Sequence, residues 1–395
     1  MKKVVLAFSG GLDTSFCIPY LKNERGLEVY TVMVNTGGFN DSEQKEISDR
    51  AIKLGAIKHI NVDATQVYYN KGIKYLLFGN VLKNNTYPLS VSSERVFQAL
   101  EVLKYAKEIG ADYLAHGSTG AGNDQIRFDL VFEVMAPNIE ILAPIRELSL
   151  SRKEEIDYLV KQGFDFSWDK AKYSINQGMW GTSVGGVETL SADGILPSDA
   201  FPSQLKKSDV SRLTIGFSKG EPTSLNGQTL SPIEIINRLN IIGGEYAVSR
   251  DIHVGDTIIG IKGRVGFEAP AAMILIKAHH LLEKHILTKD QQYWKEMLSN
   301  WYGKLMHEAL YLEPVMRNIE AFLENTQRNV SGQVVIELRP YSFSILSCKT
   351  EYDLMSSNFG SYGEENRSLT SDDIVGFTKV MANSLKIYYS VNNEN

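Results

Sequence analysis

Near the start of the chain, Ser9-Gly10-Gly11-Leu12-Asp13-Thr14-Ser15 places two glycines, three hydroxyls and a carboxylate in seven residues. Glycines let a backbone approach an anion closely, and hydroxyls beside free N–H groups at a helix N-terminus bind one. This is phosphate-cradling chemistry. It is not the Gly-x-x-x-x-Gly-Lys-Ser/Thr loop, because no lysine follows the glycines. The bland alternative is a tight strand-to-helix turn. A second group runs from His116 to Asp129, His-Gly-Ser-Thr-Gly-Ala-Gly-Asn-Asp-Gln-Ile-Arg-Phe-Asp. Its glycines reverse the spacing of a dinucleotide fingerprint, which excludes that reading. What remains is an amide, a carboxylate and a guanidinium behind a flexible loop, equipment for a zwitterionic amino acid, or else a Gly-rich surface loop.

Both groups need a scaffold that brings strand ends together. Val4 to Phe8, Glu28 to Asn35, Lys58 to Asp63, Tyr113 to His116 and Ile139 to Ala143 read as short apolar strands. Helical patterns alternate with them: Thr14 to Leu21, Asp41 to Leu54 with an Asp41/Gln44 capping box, and Ser92 to Ile109. The alternation predicts an α/β fold with a doubly wound parallel sheet, whose ligands bind at the carboxyl ends of the strands. Beyond about Gly163 the pattern changes to α+β. Helices are predicted for Pro232 to Asn240, Ala278 to Thr288, Gln291 to Leu310 and Pro314 to Thr326. Strands are predicted at Thr257 to Ile261, Met273 to Ile276, Gln333 to Arg339 and Tyr341 to Cys348, and a capped helix opens at Thr370. The division is therefore residues 1–165, a nucleotide-binding domain; 166–365, a second α+β synthetase and multimerisation domain; and 366–395, a C-terminal helix and tail.

Composition narrows the function classes. The chain has 395 residues, a net charge of −6 and 43% hydrophobic residues, values of an ordinary globular protein. The acidic balance demotes nucleic-acid binding. Cys17 and Cys348 stand far apart without CxxC spacing, so neither a disulfide framework nor a zinc site is indicated. Gly10, Gly11 and Asp13 cut short the opening apolar run, and no apolar stretch reaches the ~18 residues of a membrane span, so a cytoplasmic location is expected. His279, His280 and His285 do not share a helix face, and no metal site made by the protein alone is predicted. Trp294, Trp301 and Tyr302, with Leu298 and Leu305, read as a packed helical face or a subunit contact.

From Ala7 to Ser15 the first motif resembles the N-type ATP pyrophosphatases, and the second motif narrows the resemblance to the argininosuccinate synthase family, whose HGxTGxGNDQxRF pattern is complete here. That resemblance implies ATP as co-substrate with Mg²⁺, L-citrulline and L-aspartate as the molecules joined, and a homotetramer. It places Ala7, Phe8, Ser9, Gly10, Gly11, Leu12, Asp13, Thr14 and Ser15, with Val34 and Gly117, at the nucleotide. It places Thr119, Asn123 and Asp124 at aspartate, and Tyr87, Ser92, Asn123, Arg127, Ser174 and Ser183 at citrulline. Asp13, Ser15 and Asp124 are its expected catalytic set. Four positions depart from the family pattern: Asn176 and Gly178 between the two serines, Phe267 for a tyrosine, and Gly255 for a glutamate. Asp256, beside Gly255, is the candidate replacement carboxylate, with loop capping as its alternative. Another ATP pyrophosphatase, acting on tRNA, would need a cysteine constellation or a basic face. A chain that binds nucleotide without turnover is the reading left open by Gly255 and Phe267.

Overall fold

The computed structural model describes residues 1–120, 122–164, 166, 172–356 and 369–392. Ala121 of the second motif and the proposed boundaries at 165 and 365 lie outside the described residues. Strands β1 (Lys3–Ala7), β2 (Glu28–Asn35), β3 (Lys58–Asp63), β4 (Tyr113–His116) and β5 (Glu140–Leu142) form one parallel sheet in the order β3-β2-β1-β4-β5. Side chains alternate across a strand, and this sheet buries both faces. On one face Val4 and Leu6 of β1 and Val29 and Met33 of β2 pack with Phe16, Ile18 and Leu21 of the helix Leu12–Asn23. On the other face Val5 and Val32 pack with Val96, Ala99 and Val102 of the helix Glu94–Glu108. The doubly wound α/β fold expected from the sequence is the fold observed. Each such fully buried Val, Leu or Ile contributes roughly 1.5–3 kcal/mol, so the central strand is the firmest platform for loops at its end.

The capping box lies one residue earlier than expected. Asn40 accepts from the Glu43 N–H at 3.0 Å and Glu43 accepts from the Asn40 N–H at 2.8 Å, opening the helix Asp41–Lys53. Asn40 has the extended backbone of an N-cap (φ −83°, ψ 171°), which Asp41, already helical, lacks.

The second half carries two antiparallel sheets. One, in the order β11-β12-β7-β6, contains β6 (Ser174–Gly178), β7 (Gly181–Gly185), β11 (Arg250–Asp256) and β12 (Lys262–Glu268). The other, in the order β10-β9-β8-β13-β14, contains β8 (Ser211–Ser218), β9 (Glu221–Leu225), β10 (Gln228–Thr229), β13 (Gly332–Arg339) and β14 (Ser342–Lys349). Two strand expectations are corrected here. Residues Thr257 to Ile261 form the turn between β11 and β12, closed by Thr257 N–H donating to Ile261 C=O at 2.7 Å, with Gly260 at φ +83°. Met273 to Ile276 lies inside the helix Pro270–Ile286, where Ile274, Leu275 and Ile276 are all buried, and a buried helix and a buried strand have the same local hydrophobicity. The expected aromatic face of Lys289–His307 splits: Tyr302 and Leu305 are buried, whereas Trp294 and Trp301 are exposed.

Trp180, fully buried at the β6–β7 turn, fastens the two halves by donating from Nε1 to Pro88 C=O at 3.0 Å. Gly181 at that turn has φ +135°, and a Cβ there would lie 2.6 Å from Ala269 Cβ, so only glycine fits. The C-terminal helix Ser371–Asn392 opens on Thr370, whose backbone N–H donates to Asp373 at 2.9 Å, and buries none of its residues.

Candidate active site

A cavity of ≈ 1040 Å³ opens at the carboxyl ends of β1, β2 and β4, and is walled on its other side by β6, β7, β11 and β12. The loop after β1 lines it with Ser9, Gly11, Leu12, Asp13 and Thr14, joined by Ala7 and Phe8. Gly10 turns the chain at φ +76°, where a Cβ would come within 2.9 Å of Ile47 Cγ1. Gly11 is the N-cap of the helix Leu12–Asn23 and supplies no side-chain cap, which leaves the first N–H groups of that helix for an anion. Ser9 Oγ lies 3.3 Å from Thr14 Oγ1, and Thr14 Oγ1 donates to Gly11 C=O at 3.3 Å, so both hydroxyls are held over the loop. Gly117 closes against it: a Cβ at Gly117 would sit 2.9 Å from Thr14 Cγ2 and 3.1 Å from Thr14 N. Val34, at the end of β2, completes this part of the wall.

Ser15 is placed differently. It is fully buried one residue further into the helix, its Oγ has no hydrogen-bond partner, and it is not part of the cavity wall. Asp13 remains at the wall beside Glu155 of the helix Arg152–Lys161, and burial raises the pKa of the first. Burial, followed by the charge of Asp13, pushes Glu155 up to about 8.

The second motif follows β4. His116 Nδ1 accepts from the Ser118 N–H at 3.2 Å, so the ring proton lies on Nε2, which donates to Asp129 at 2.8 Å. Asp129 also pairs with Arg146. Thr119, Asn123, Asp124 and Arg127 all reach the cavity. Asn123 Oδ1 accepts from the Ile258 N–H at 2.9 Å, which ties the β11–β12 turn to the site. Asp124 is gripped from both sides: Arg95 Nε donates to Oδ2 at 3.0 Å and Arg127 Nη1 to Oδ1 at 2.8 Å. Burial opposes ionisation there, but the two guanidiniums outweigh it and hold Asp124 down to about 2. Arg127 in turn donates through Nε and Nη2 to His307 C=O at 3.2 and 3.1 Å.

Tyr87, Ser92, Ser174, Ser183 and Asp256 also line the cavity. Ser92 Oγ is buried without a partner, while Asp256 pairs with Lys262 Nζ at 2.6 Å at the solvent-exposed end of β11. Phe267 is fully buried, with its ring centre 5.4 Å from that of Tyr87. Several site residues escaped the sequence reading. Arg95, eight residues after Tyr87, donates to Glu94 at 2.6 Å, and Glu94 also accepts from Thr36 Oγ1 at 2.8 Å. Burial lifts Glu94 to about 7 against these two donors. His253 and His307, both buried, enter from distant elements and carried no local spacing signal.

Among the described residues no group of three or more His, Cys, Asp or Glu side chains comes together. A divalent ion would therefore be held mainly by phosphate oxygens and water, the habit of Mg²⁺, with Asp13 the carboxylate beside the loop. Among them, too, no helix is long and apolar enough to cross a membrane.

Comparison with known proteins gives two adjoining family matches: the arginosuccinate synthase N-terminal HUP domain over residues 3–165 and the arginosuccinate synthase C-terminal domain over residues 173–388. An argininosuccinate synthase of Methanocaldococcus jannaschii is 35% identical over 380 residues, 95% of each chain. One from Dictyoglomus thermophilum is 36% identical, covering 96% of this chain and 95% of its own, and one from Xanthomonas campestris is 36% identical over 99% of both. With both halves matched in order and full-length relatives sharing more than a third of its residues, the chain belongs to the argininosuccinate synthase family.

Proposed function

We propose that this chain joins L-citrulline to L-aspartate at the expense of ATP, releasing AMP and pyrophosphate. The observation that carries the reading is that the Ser9–Thr14 loop and the Thr119–Arg127 segment open into one cavity, next to each other at Gly117 and Thr14. In the first step the ureido oxygen of citrulline attacks the α-phosphorus, and the bond to the bridging oxygen breaks to release pyrophosphate. In the second, the aspartate amine attacks the activated ureido carbon, loses a proton, and the carbon–oxygen bond to AMP breaks. The protein's part is alignment and charge stabilisation. Ser9, Thr14 and the helix N–H groups hold the departing pyrophosphate; Mg²⁺ would be held beside Asp13 and would supply positive charge to the phosphates. Thr119, Asn123 and Asp124 hold aspartate; Asp124, ionised between its guanidiniums, receives the ammonium. Tyr87, Ser92, Arg127, Ser174 and Ser183 surround citrulline.

The division into residues 1–165, 166–365 and 366–395, a cytoplasmic location and a homotetramer go with this reading. Assembly is supported by Phe377, Val380, Met381, Leu385 and Val391 on the C-terminal helix, each more than half exposed. The reading is tested with citrulline labelled by ¹⁸O in the ureido group. The label should appear in AMP, and AMP should form in quantity only when both amino acids are present. Unlabelled AMP, or turnover indifferent to aspartate, would sink it.

A further inference from the structure

A carboxylate gripped by two guanidiniums is poorly placed to receive an ammonium group. Arg95 and Arg127 bring two positive charges to the single negative charge of Asp124. Among the described residues Arg127 pairs with no other carboxylate, its remaining bonds going to His307 C=O. The surplus cation would repel an ammonium arriving at Asp124. Glu94 removes that surplus. Arg95 Nη1 donates to Glu94 Oε1 at 2.6 Å while Nε of the same guanidinium donates to Asp124 Oδ2 at 3.0 Å. Of these three side chains Asp124 alone opens to solvent, 39% exposed against 2% for Glu94 and 12% for Arg95, so an incoming cation meets Asp124 and not Glu94.

The surroundings hold Glu94 in this role. Its Oε2 accepts from Thr36 Oγ1 at 2.8 Å, and Gln98 closes a ring by donating to Thr36 Oγ1 at 3.2 Å and accepting from Arg95 Nη1 at 3.0 Å. Strand β6 leaves the room: a Cβ at Gly178 would collide with Glu94 Oε2, and Asn176, whose Oδ1 lies 3.5 Å from Arg95 Nη2, brings no charge. Two of the four departures from the family pattern thus meet at one carboxylate. The charged groups facing Glu94 are Arg95 on its own helix and Asp124 on the helix Asp124–Met135. Neither β6 nor the Thr36 to Phe39 loop contains a titratable residue. Tyr68, bonded to Ser93 at 2.6 Å, is held neutral by burial, which raises it well above the usual phenol range.

We propose that Glu94 is a positioning residue for the aspartate half of the reaction: it neutralises Arg95 from the buried side and so leaves the charge of Asp124 available to the substrate ammonium. This inference rests on the ligase reading above. The test measures calorimetric binding of L-aspartate to the intact, citrulline-saturated protein at pH 6 and pH 8, alongside AMP formation. Glu94 titrates at about 7, so wild-type affinity for aspartate should be about tenfold higher at pH 8 than at pH 6. Glu94→Gln keeps the shape without the charge and should show the weak value at both, with citrulline affinity within about twofold of wild type. Adding Asn176→Asp to that variant places a carboxylate on the same guanidinium and should restore aspartate affinity at pH 8 to within about threefold. Wild-type affinity independent of pH, a pH dependence that survives in Glu94→Gln, equal weakening of citrulline, or a double variant without rescue would each overturn the proposal. Turnover separates the two readings. The expected binding pattern without AMP formation leaves the role of Glu94 standing and removes the ligase reading; AMP formation with unaltered aspartate binding in Glu94→Gln does the reverse.

Discussion

Replacing Arg95 with methionine should destabilise the protein by an amount that grows with pH, and the growth can be worked out from Glu94. That carboxyl sits at about 7 against an ordinary 4.5. Its raised value means the fold favours the neutral form, so its stability contribution is complete below about 4.5 and is lost as pH rises through 7. With Arg95 in place the loss levels off at ~3.4 kcal/mol once Glu94 ionises, taking about 1.4 kcal/mol per pH unit. Without the guanidinium the carboxyl keeps its proton to higher pH and the loss continues at that slope. Between about pH 6 and pH 8 the wild type then loses roughly 1.3 kcal/mol through this group and Arg95→Met roughly 2.7. An excess near 1.4 kcal/mol at the upper pH should appear on top of a constant cost. The constant is the lost contact to Asp124, which stays ionised across this range because it titrates at about 2. Urea unfolding at the two pH values measures the difference, and Glu94→Gln in the Arg95→Met background should abolish it. Equal destabilisation at both pH values would refute the assignment of the buried charge to Glu94.

Gly117→Ala puts a methyl group 2.9 Å from Thr14 Cγ2 and 3.1 Å from a backbone nitrogen that cannot step aside. An overpacking cost of ~1–3 kcal/mol should appear chiefly as a raised KM for ATP; an unchanged KM would mean the loop is not the nucleotide cradle. Ser15→Ala should leave ATP turnover within about twofold, since its hydroxyl is buried and unpartnered, and a large fall in kcat would return Ser15 to the catalytic set. Glu155→Gln should stabilise the protein more at high pH than at low, because the favoured proton on Glu155 is lost as pH climbs through about 8; a uniform change in melting temperature would contradict the pairing with Asp13. Removing residues 369–395 should lower the mass measured by light scattering if the exposed apolar face of the last helix is a subunit contact, and an unchanged mass would exclude that role.

The parallel sheet was legible because its signals are local: a strand such as Val4 to Phe8, a glycine turn and a helix succeed one another within a few residues. The second half resisted for two physical reasons. Met273 to Ile276 is apolar on all sides, so its period carries no information, and Thr257 to Ile261 has strand-like residues in a stretch whose hydrogen bond closes a turn. At the site, contiguous motifs were readable, while contacts made across the cavity were not. Arg95 grips Asp124 from a separate helix, and the Ile258 N–H reaches Asn123 from a turn 135 residues away. Gly255 shows the limit most clearly. Set against the family pattern, it is a missing carboxylate, with neighbouring Asp256 the candidate replacement or a loop cap. In three dimensions Asp256 is engaged by Lys262, and the space above Gly255 is filled by an imidazole from two residues back on the same strand face. An absence in sequence is thus a filled space in the structure, occupied by an imidazole where the family pattern has a carboxylate.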